Sequence, residues 1–490
     1  MPSRTARIAV AATLAATVLF VSPGGKLREV RAADSRGESQ PKAEYSATTE
    51  KDQSDLSVTV YNSNIALVRD VRQIHLQPGV FPLRFEDVAA SILPATVHFR
   101  SLTDASKLNV IEQNYEYDLL DPQKLLNKYV GKEVTFEWQG METKALLLSD
   151  NGGPVWKIGN QIVTGLSVGS YRFPELPDNL YSRPTLVWTL DNRGADAQKV
   201  EASYLANSMN WNADYVLTVA RDEKTADLDG WVTLVNNSGA AYHDAKLQLV
   251  AGDIHRTPQV MLEERDMVAK SMAVNAGAPQ FAQENFSEYH LYTLGRRTSI
   301  QNNESKQISL LTGTNIPVEK YLQVEGQQYY YRNPQGIGNA IPQPVKVFYR
   351  FKNDQASGLG MPLPAGTVRV YQNDSQGGAQ FAGEDNISHT PKDETLRIYV
   401  GNAFDVVCER KQTDYKKLSY DLYEMEYQIT LRNHKNGPVT VEVREPIGGD
   451  WEVVNSNYKW TKLDVSTVGF QIPVAKDGTA TLDYRVRVKW

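Results

Sequence analysis

The chain has 490 residues, with 52 Lys plus Arg against 58 Asp plus Glu, a formal net charge of -6 and 41% hydrophobic residues. That balance fits a folded globular protein and excludes a disordered one, and a pI near 5.8 without a basic tract excludes bulk nucleic-acid binding. The single cysteine, Cys408, leaves no internal disulfide and no Cys-based zinc site.

The first segment, MPSRTARIAVAATLAATVLFV, places Arg4 and Arg7 before an uncharged apolar stretch from Ile8 to Val21. It is too short to span a bilayer and fits a secretory signal, with a small-residue site at Val30 and Ala32 before Ala33. Residues 1–32 are therefore expected to be a signal peptide. No cysteine lies near the apolar stretch to carry a lipoprotein anchor. Its removal takes away five positive side chains and one negative and leaves -10. The expected location is periplasmic or extracellular, with no stable transmembrane span. Residues 33–54 show no apolar period and read as a flexible linker.

From Leu56 the text alternates with period two, as half-buried strands do. LSVTVYN puts Leu56, Val58 and Val60 on one face, FPLRF does the same with Phe81, Leu83 and Phe85, and TVHFRS points Val97 and Phe99 inward. Pro78-Gly79 marks a tight reversal. DPQKLLNKYVG reads as a short helix, capped by Asp121, opened by Pro122 and closed near Gly131. These lie in an N-terminal β domain, 55–180, enclosing a small β unit at 132–177 that reads as a small barrel or twisted meander. A middle β-sandwich, 181–335, opens with Leu186, Trp188 and Leu190 on one face of PTLVWTL. It carries an excursion at 258–288, read as a helical or loop insertion. A C-terminal β-sandwich, 336–490, includes LSYDLYEMEYQITLRN with Tyr423, Met425, Tyr427, Ile429 and Leu431 on one face, then the turn NHKNG. The expected class is all-β: multi-domain antiparallel β-sandwiches with a small β-barrel-like unit and one short helical insertion.

Several phrases together resemble one bacterial family: SVTVYNSNIALVRDVR, LNVIEQNYEYDLLDPQKLLNKYVGKEV, MNWNADYVLTV with DGWVTLVNNSG, and LPAGTVRVYQND with NISHTPKDETLRIYVGNAFDVVCERKQTDY. It is the DUF4139 domain-containing family of unknown function, whose C-terminal domain is shared with mucoidy-inhibitor A-like proteins. The coiled coil of the mucoidy-inhibitor members has no counterpart here, because no heptads are sustained. The resemblance implies an exported β-rich protein connected with the cell envelope or exopolysaccharide. It transfers no catalytic residue.

The motifs are weak on their own chemistry. Gly165-Leu166-Ser167-Val168-Gly169 matches GxSxG, but SYRFPELPD cannot supply the helix a nucleophile elbow needs. The seven histidines have no metal-ligand spacing, and Asp227-Leu228-Asp229-Gly230 lacks the glutamate of a calcium loop, with Asn236 in its place. Cys408 shares parity with Val406 and reads as a buried apolar residue. Glu384, Asp385, His389, Lys392, Asp393, Glu394, Glu409, Arg410, Lys411 and Asp414 fall close together in sequence. They read foremost as salt-bridged loops and exposed strand faces, otherwise as a ligand rim or a source of paired hydrolase acids. TLDYRVRVKW, ending at Trp490, has the alternation of a final sandwich strand and echoes the closing strand of outer-membrane barrels.

No catalytic, cofactor-binding or metal residue is assigned, and no cofactor. The leading expectation is an exported non-enzymatic protein that binds or organises an envelope protein or glycan, with no nucleic-acid partner. The alternative is a hydrolase of extracellular or envelope polysaccharide using acids of the 384–414 region. A third reading is a sugar-binding module with Trp211 and Tyr215 as platforms.

Overall fold

A computed structural model describes residues 46–116, 120–177, 180–252, 280–286 and 288–490. The expected signal peptide, most of the expected linker and the helix-prone stretch 260–274 lie outside the described residues. The protein is all-β, built from several sheets with a single α-helix among the described residues.

Three sandwiches follow one another. In the first, a four-stranded sheet (Ser46–Thr48, Gly79–Glu86, Thr185–Asn192 and Leu108–Glu116) packs on part of an eight-stranded sheet. Trp188 is the hinge of that contact, with its ring 5.5 Å from Phe85 within its own sheet and 4.3 Å from Phe99 across the interface. Leu186, Trp188 and Leu190 are fully buried, as their alternation predicts. The same eight-stranded sheet continues into the second sandwich. Tyr242–Ala251 lies parallel to Gln53–Tyr61, with Ser57 opposite Lys246, so one sheet serves both sandwiches. Its second part faces a five-stranded sheet of Glu304–Pro317, Thr225–Asn236, Met209–Val219, Gly366–Asn373 and Ala379–Ile387. One hydrophobic core runs through both.

The third sandwich pairs a six-stranded sheet (Thr395–Asn402, Lys346–Lys352, Glu319–Glu325, Val439–Pro446, Thr467–Val474, Trp460–Lys462) with a five-stranded one (Ala340–Gln343, Val406–Lys417, Leu422–Asn433, Thr479–Lys489, Asp450–Ser456). It has its own core, in which Phe470 and Tyr484 meet across the sheets at 5.2 Å. The long aromatic strand forms as read, with Met425, Tyr427, Ile429 and Leu431 buried. TLDYRVRVKW supplies an interior strand of this sandwich rather than the seam of a closed barrel.

The small unit is an open five-stranded meander with its own core around Trp156 and Phe136. The helix Pro122–Lys128 packs on it, and the Asp121 side chain accepts from the amides of Gln123 and Lys124 as a cap should.

Three local readings change. Four pairings are parallel where antiparallel strands were expected. Each joins strands far apart in sequence, for which no turn signal exists. Within the expected linker, Ser46–Thr48 is a strand against Leu83–Phe85, followed by a turn closed by a Thr49–Asp52 capping box. Within the expected insertion, Phe281–Phe286 is a strand paired with Tyr289–Leu294. No helix among the described residues is long and apolar enough to cross a membrane.

Candidate functional site

The charged residues of 384–414 do not converge. Glu384 and Asp385 lie on the edge strand Ala379–Ile387; Glu384 is 3.5 Å from Arg369, and Asp385 accepts from the Tyr399 amide at 2.8 Å. The His389 ring accepts from the Ala365 amide, and Lys392, Asp393 and Glu394 are exposed in the turn before Thr395–Asn402. Glu409, Arg410, Lys411 and Asp414 sit on Val406–Lys417. Glu409 pairs with Arg432 at 2.6 Å, while Asp414 joins Glu424 and Glu426 around Arg485 on the outer face of the last sheet. The acids are thus dispersed: Glu384, Asp385, Glu409 and Asp414 are each held by a cation or amide on two different sheets, Asp393 and Glu394 stand exposed in a turn, and no facing carboxylate pair results.

Arg410 goes elsewhere. It shares the inward face of its strand with Cys408 and Gln412 and is buried in the core of the third sandwich. Its guanidinium is paired to Glu445, which has no exposed surface, and reaches the Tyr484 hydroxyl at 3.4 Å. The Tyr331 hydroxyl donates to the same carboxylate and lies 2.8 Å from that of Tyr484. Burial opposes the Arg410 charge, but Glu445 outweighs it and holds the guanidinium well above its ordinary range. Burial, then the neighbouring carboxylate, pushes both tyrosines well above theirs. Backbone closes over the pair at Gly326, where a Cβ would come within 3.1 Å of Arg410 Nη2 and collide with Glu445. No ligand can reach this cluster, so it is a structural charge network.

Trp211 and Tyr215 are also internal. The Trp211 indole donates to the Val250 carbonyl at 3.2 Å and Tyr215 to that of Pro364 at 2.8 Å, and neither offers a platform. Ser167 is exposed between two strands with no helix after it, and Asp227 accepts from the Asn315 amide inside a strand. No group of three metal-ligating side chains is assembled among the described residues.

What the fold does assemble is an open cleft of about 560 Å³ at one end of the third sandwich, lined by Arg332, Lys417, Tyr420, Asp421, Tyr423 and Trp490. Strand pairing builds it. Lys417 lies opposite Tyr423, Tyr423 opposite Val488, and Val488 opposite Trp451, so near the end of the sheet one row carries a lysine and two partly exposed aromatics around the buried Val488. Arg332 enters from the turn after the short 3-10 helix Gln328–Tyr331, where the Tyr415 hydroxyl donates to its carbonyl. Its guanidinium lies 4.7 Å from the centre of the Trp490 ring. The Lys417 ammonium lies 5.7 Å from the Tyr420 ring and 5.5 Å from that of Tyr423. Tyr420 is 92% exposed. Asp421, the one acidic side chain among the lining residues, accepts from Ser419 and is 3.7 Å from Lys489. Further along the row, Trp451 is 6.4 Å from Trp460 and lies under Lys462 at 4.9 Å.

Sequence reading missed this site because its members come from three separate turns and strand ends. The one available signal was the density of Tyr and Trp with Lys and Arg where strands end, at Lys417–Tyr423 and Lys489–Trp490.

No curated protein matches the chain. Residues 200–490 match the family model described as a domain of unknown function, DUF4139, which includes every residue of the cleft and of the Arg410–Glu445 network. That match covers more than half of the chain, and the protein therefore belongs to the DUF4139 family.

Proposed function

We propose that this is an exported, non-enzymatic protein that binds a partner in the bacterial envelope, through the aromatic and cationic end of its C-terminal sandwich. The observation that carries the reading is the cleft itself. It holds an almost fully exposed tyrosine in the turn between Val406–Lys417 and Leu422–Asn433, and two cations, Lys417 at a strand end and Arg332 in a turn, that have no Asp or Glu partner among the described residues. Exposed aromatic surface of this kind is a cost to a soluble fold unless something covers it. The signal-like amino-terminal segment supports export, and the period-two sheets supply the scaffold. The chemistry of the lining supports binding over turnover: its one side-chain carboxylate, Asp421, is engaged by Ser419 and Lys489, and no second Asp or Glu side chain is among the residues that line the cleft.

The test is cosedimentation of the purified chain with isolated envelope polysaccharide, run beside a reducing-end assay. Retention that is lost in Tyr420→Ala and Arg332→Gln, with no new reducing ends, is the expected result. Release of reducing ends that a single carboxylate substitution abolishes would overturn it in favour of a hydrolase.

A further inference from the structure

We infer that the cleft takes an acidic saccharide, a chain of sugar rings bearing carboxylates; this rests on the reading of that end of the sandwich as a binding site. The sign of the charge comes first. Almost every cation around the cleft is spoken for: Arg485 and Arg487 by Glu424, Lys416 by Asp414, Lys489 by Asp421. Arg332 and Lys417 have no carboxylate partner among the described residues. They lie instead against aromatic faces, which hold a cation in place without neutralising it. The Arg332 guanidinium makes no hydrogen bond to a described residue, so its fork of donors is free for a planar carboxylate. Two uncompensated positive groups on a protein of net charge -6 mark one place where an anion is favoured.

The saccharide part comes from the rings. The apolar face of a pyranose covers an aromatic ring well, and Tyr420 offers one almost wholly exposed. Trp490 is braced from behind by Gly448 and Gly449: a Cβ on Gly448 would stand 2.8 Å from the indole. That bracing fixes the position of the ring that carries Arg332. Polymer length comes from repetition. The cation-on-ring arrangement recurs where Lys462, from the facing sheet, lies over Trp451, which is three strands from Lys417 beyond the buried Val488, about 14 Å away at ordinary strand spacing. A single small anion needs one such place; an acidic chain can reach from one to the other.

The experiment is calorimetric titration of the whole chain with three probes: oligogalacturonate, the same oligomer with its carboxyls reduced to alcohols, and a poly-glutamate peptide of equal charge. The acidic oligosaccharide is expected to bind at least about tenfold more tightly than either of the others, and more weakly as salt rises. Arg332→Gln and Lys417→Gln each cost it about tenfold and leave the reduced oligomer unchanged. Tyr420→Ala weakens both saccharides, and Lys144→Gln on the small inserted unit changes nothing. Near-ultraviolet circular dichroism matching the parent shows that each variant is folded. Equal binding of acidic and reduced oligomers overturns the preference for acid while leaving a saccharide site. Equal binding of the peptide overturns sugar recognition. Binding of none of the three overturns the inference, and the cosedimentation assay then decides the broader reading by itself.

Discussion

Glu445→Gln keeps the shape of a side chain and removes its charge. In the parent, Arg410 and Glu445 are both withdrawn from water, at 2% and 0% side-chain exposure, and neutralise each other inside a core of Tyr331, Tyr427 and Tyr484. The amide can still accept from the Tyr331 hydroxyl, so the main loss is the counter-charge of a guanidinium that cannot reach solvent. Breaking a buried pair in this way costs about 3–5 kcal/mol. Urea slopes of about 1–3 kcal/mol per molar turn that into a midpoint lowered by at least about 1 M for the C-terminal sandwich. The assay is urea unfolding, with hydrogen exchange of the amides of Leu422–Asn433 to report that sandwich alone. Replacing both partners by methionine, Arg410→Met with Glu445→Met, is expected to regain most of the loss. The two tyrosine hydroxyls keep each other as partners at 2.8 Å, and no charge remains buried. A cost below about 1 kcal/mol for Glu445→Gln would refute the reasoning. So would a double variant less stable than the single one, since the pair would then not be an isolated charge problem.

Cys408 has no exposed surface, and burial pushes its thiol up to about 12, so a thiol reagent at pH 8 should label the chain only in denaturant; labelling of the native protein at the free-cysteine rate contradicts this. Burial also pushes the Tyr242 hydroxyl up to about 12, against an ordinary 10.0. A raised folded-state value leaves stability intact below pH 10 and removes it as pH climbs towards 12, by about 3 kcal/mol from this group. Tyr242→Phe should flatten that part of a stability-against-pH curve. Arg485 meets Asp414, Glu424 and Glu426 on a partly exposed sheet face, so Arg485→Gln should cost about 1 kcal/mol or less at pH 7. Hydrogen bonds from Lys416 and Arg485 hold Asp414 low, and those from Arg487 and Arg485 hold Glu424 low. Their contribution is present above the ordinary carboxylate range and lost as pH falls below it through the depressed folded-state values, so the variant should show a shallower acid limb in urea midpoints as pH is lowered from 7.

Alternation told which face of a strand is buried and nothing about its neighbour. Leu186, Trp188 and Leu190 are where period two puts them, and so is the Asp121-capped helix. That Gln53–Tyr61 lies beside Tyr242–Ala251 is invisible in either stretch, because register between distant strands depends on the whole core. Arg410 shows a different limit. Its parity with Val406 and Cys408 points inward, and Glu445 follows Val441 and Val443 in the same way. Charge usually keeps such residues outside, and here it does not, because partners 35 positions apart arrive together. The cleft was the least legible part. Arg332, Tyr420 and Trp490 carry no shared pattern, and only the meeting of strand ends makes them one surface.

The parallel union of Gln53–Tyr61 with Tyr242–Ala251 sets a timetable for biogenesis. A ribosome delivers the amino-terminal strands long before their partner is translated. Until then the Gln53–Tyr61 edge offers unpaired amides and carbonyls to any other chain nearby. Closing so wide a gap in sequence is slow. The first two sandwiches should therefore mature as one cooperative body, and a polypeptide cut short between them should clump rather than yield a half-sized soluble fragment.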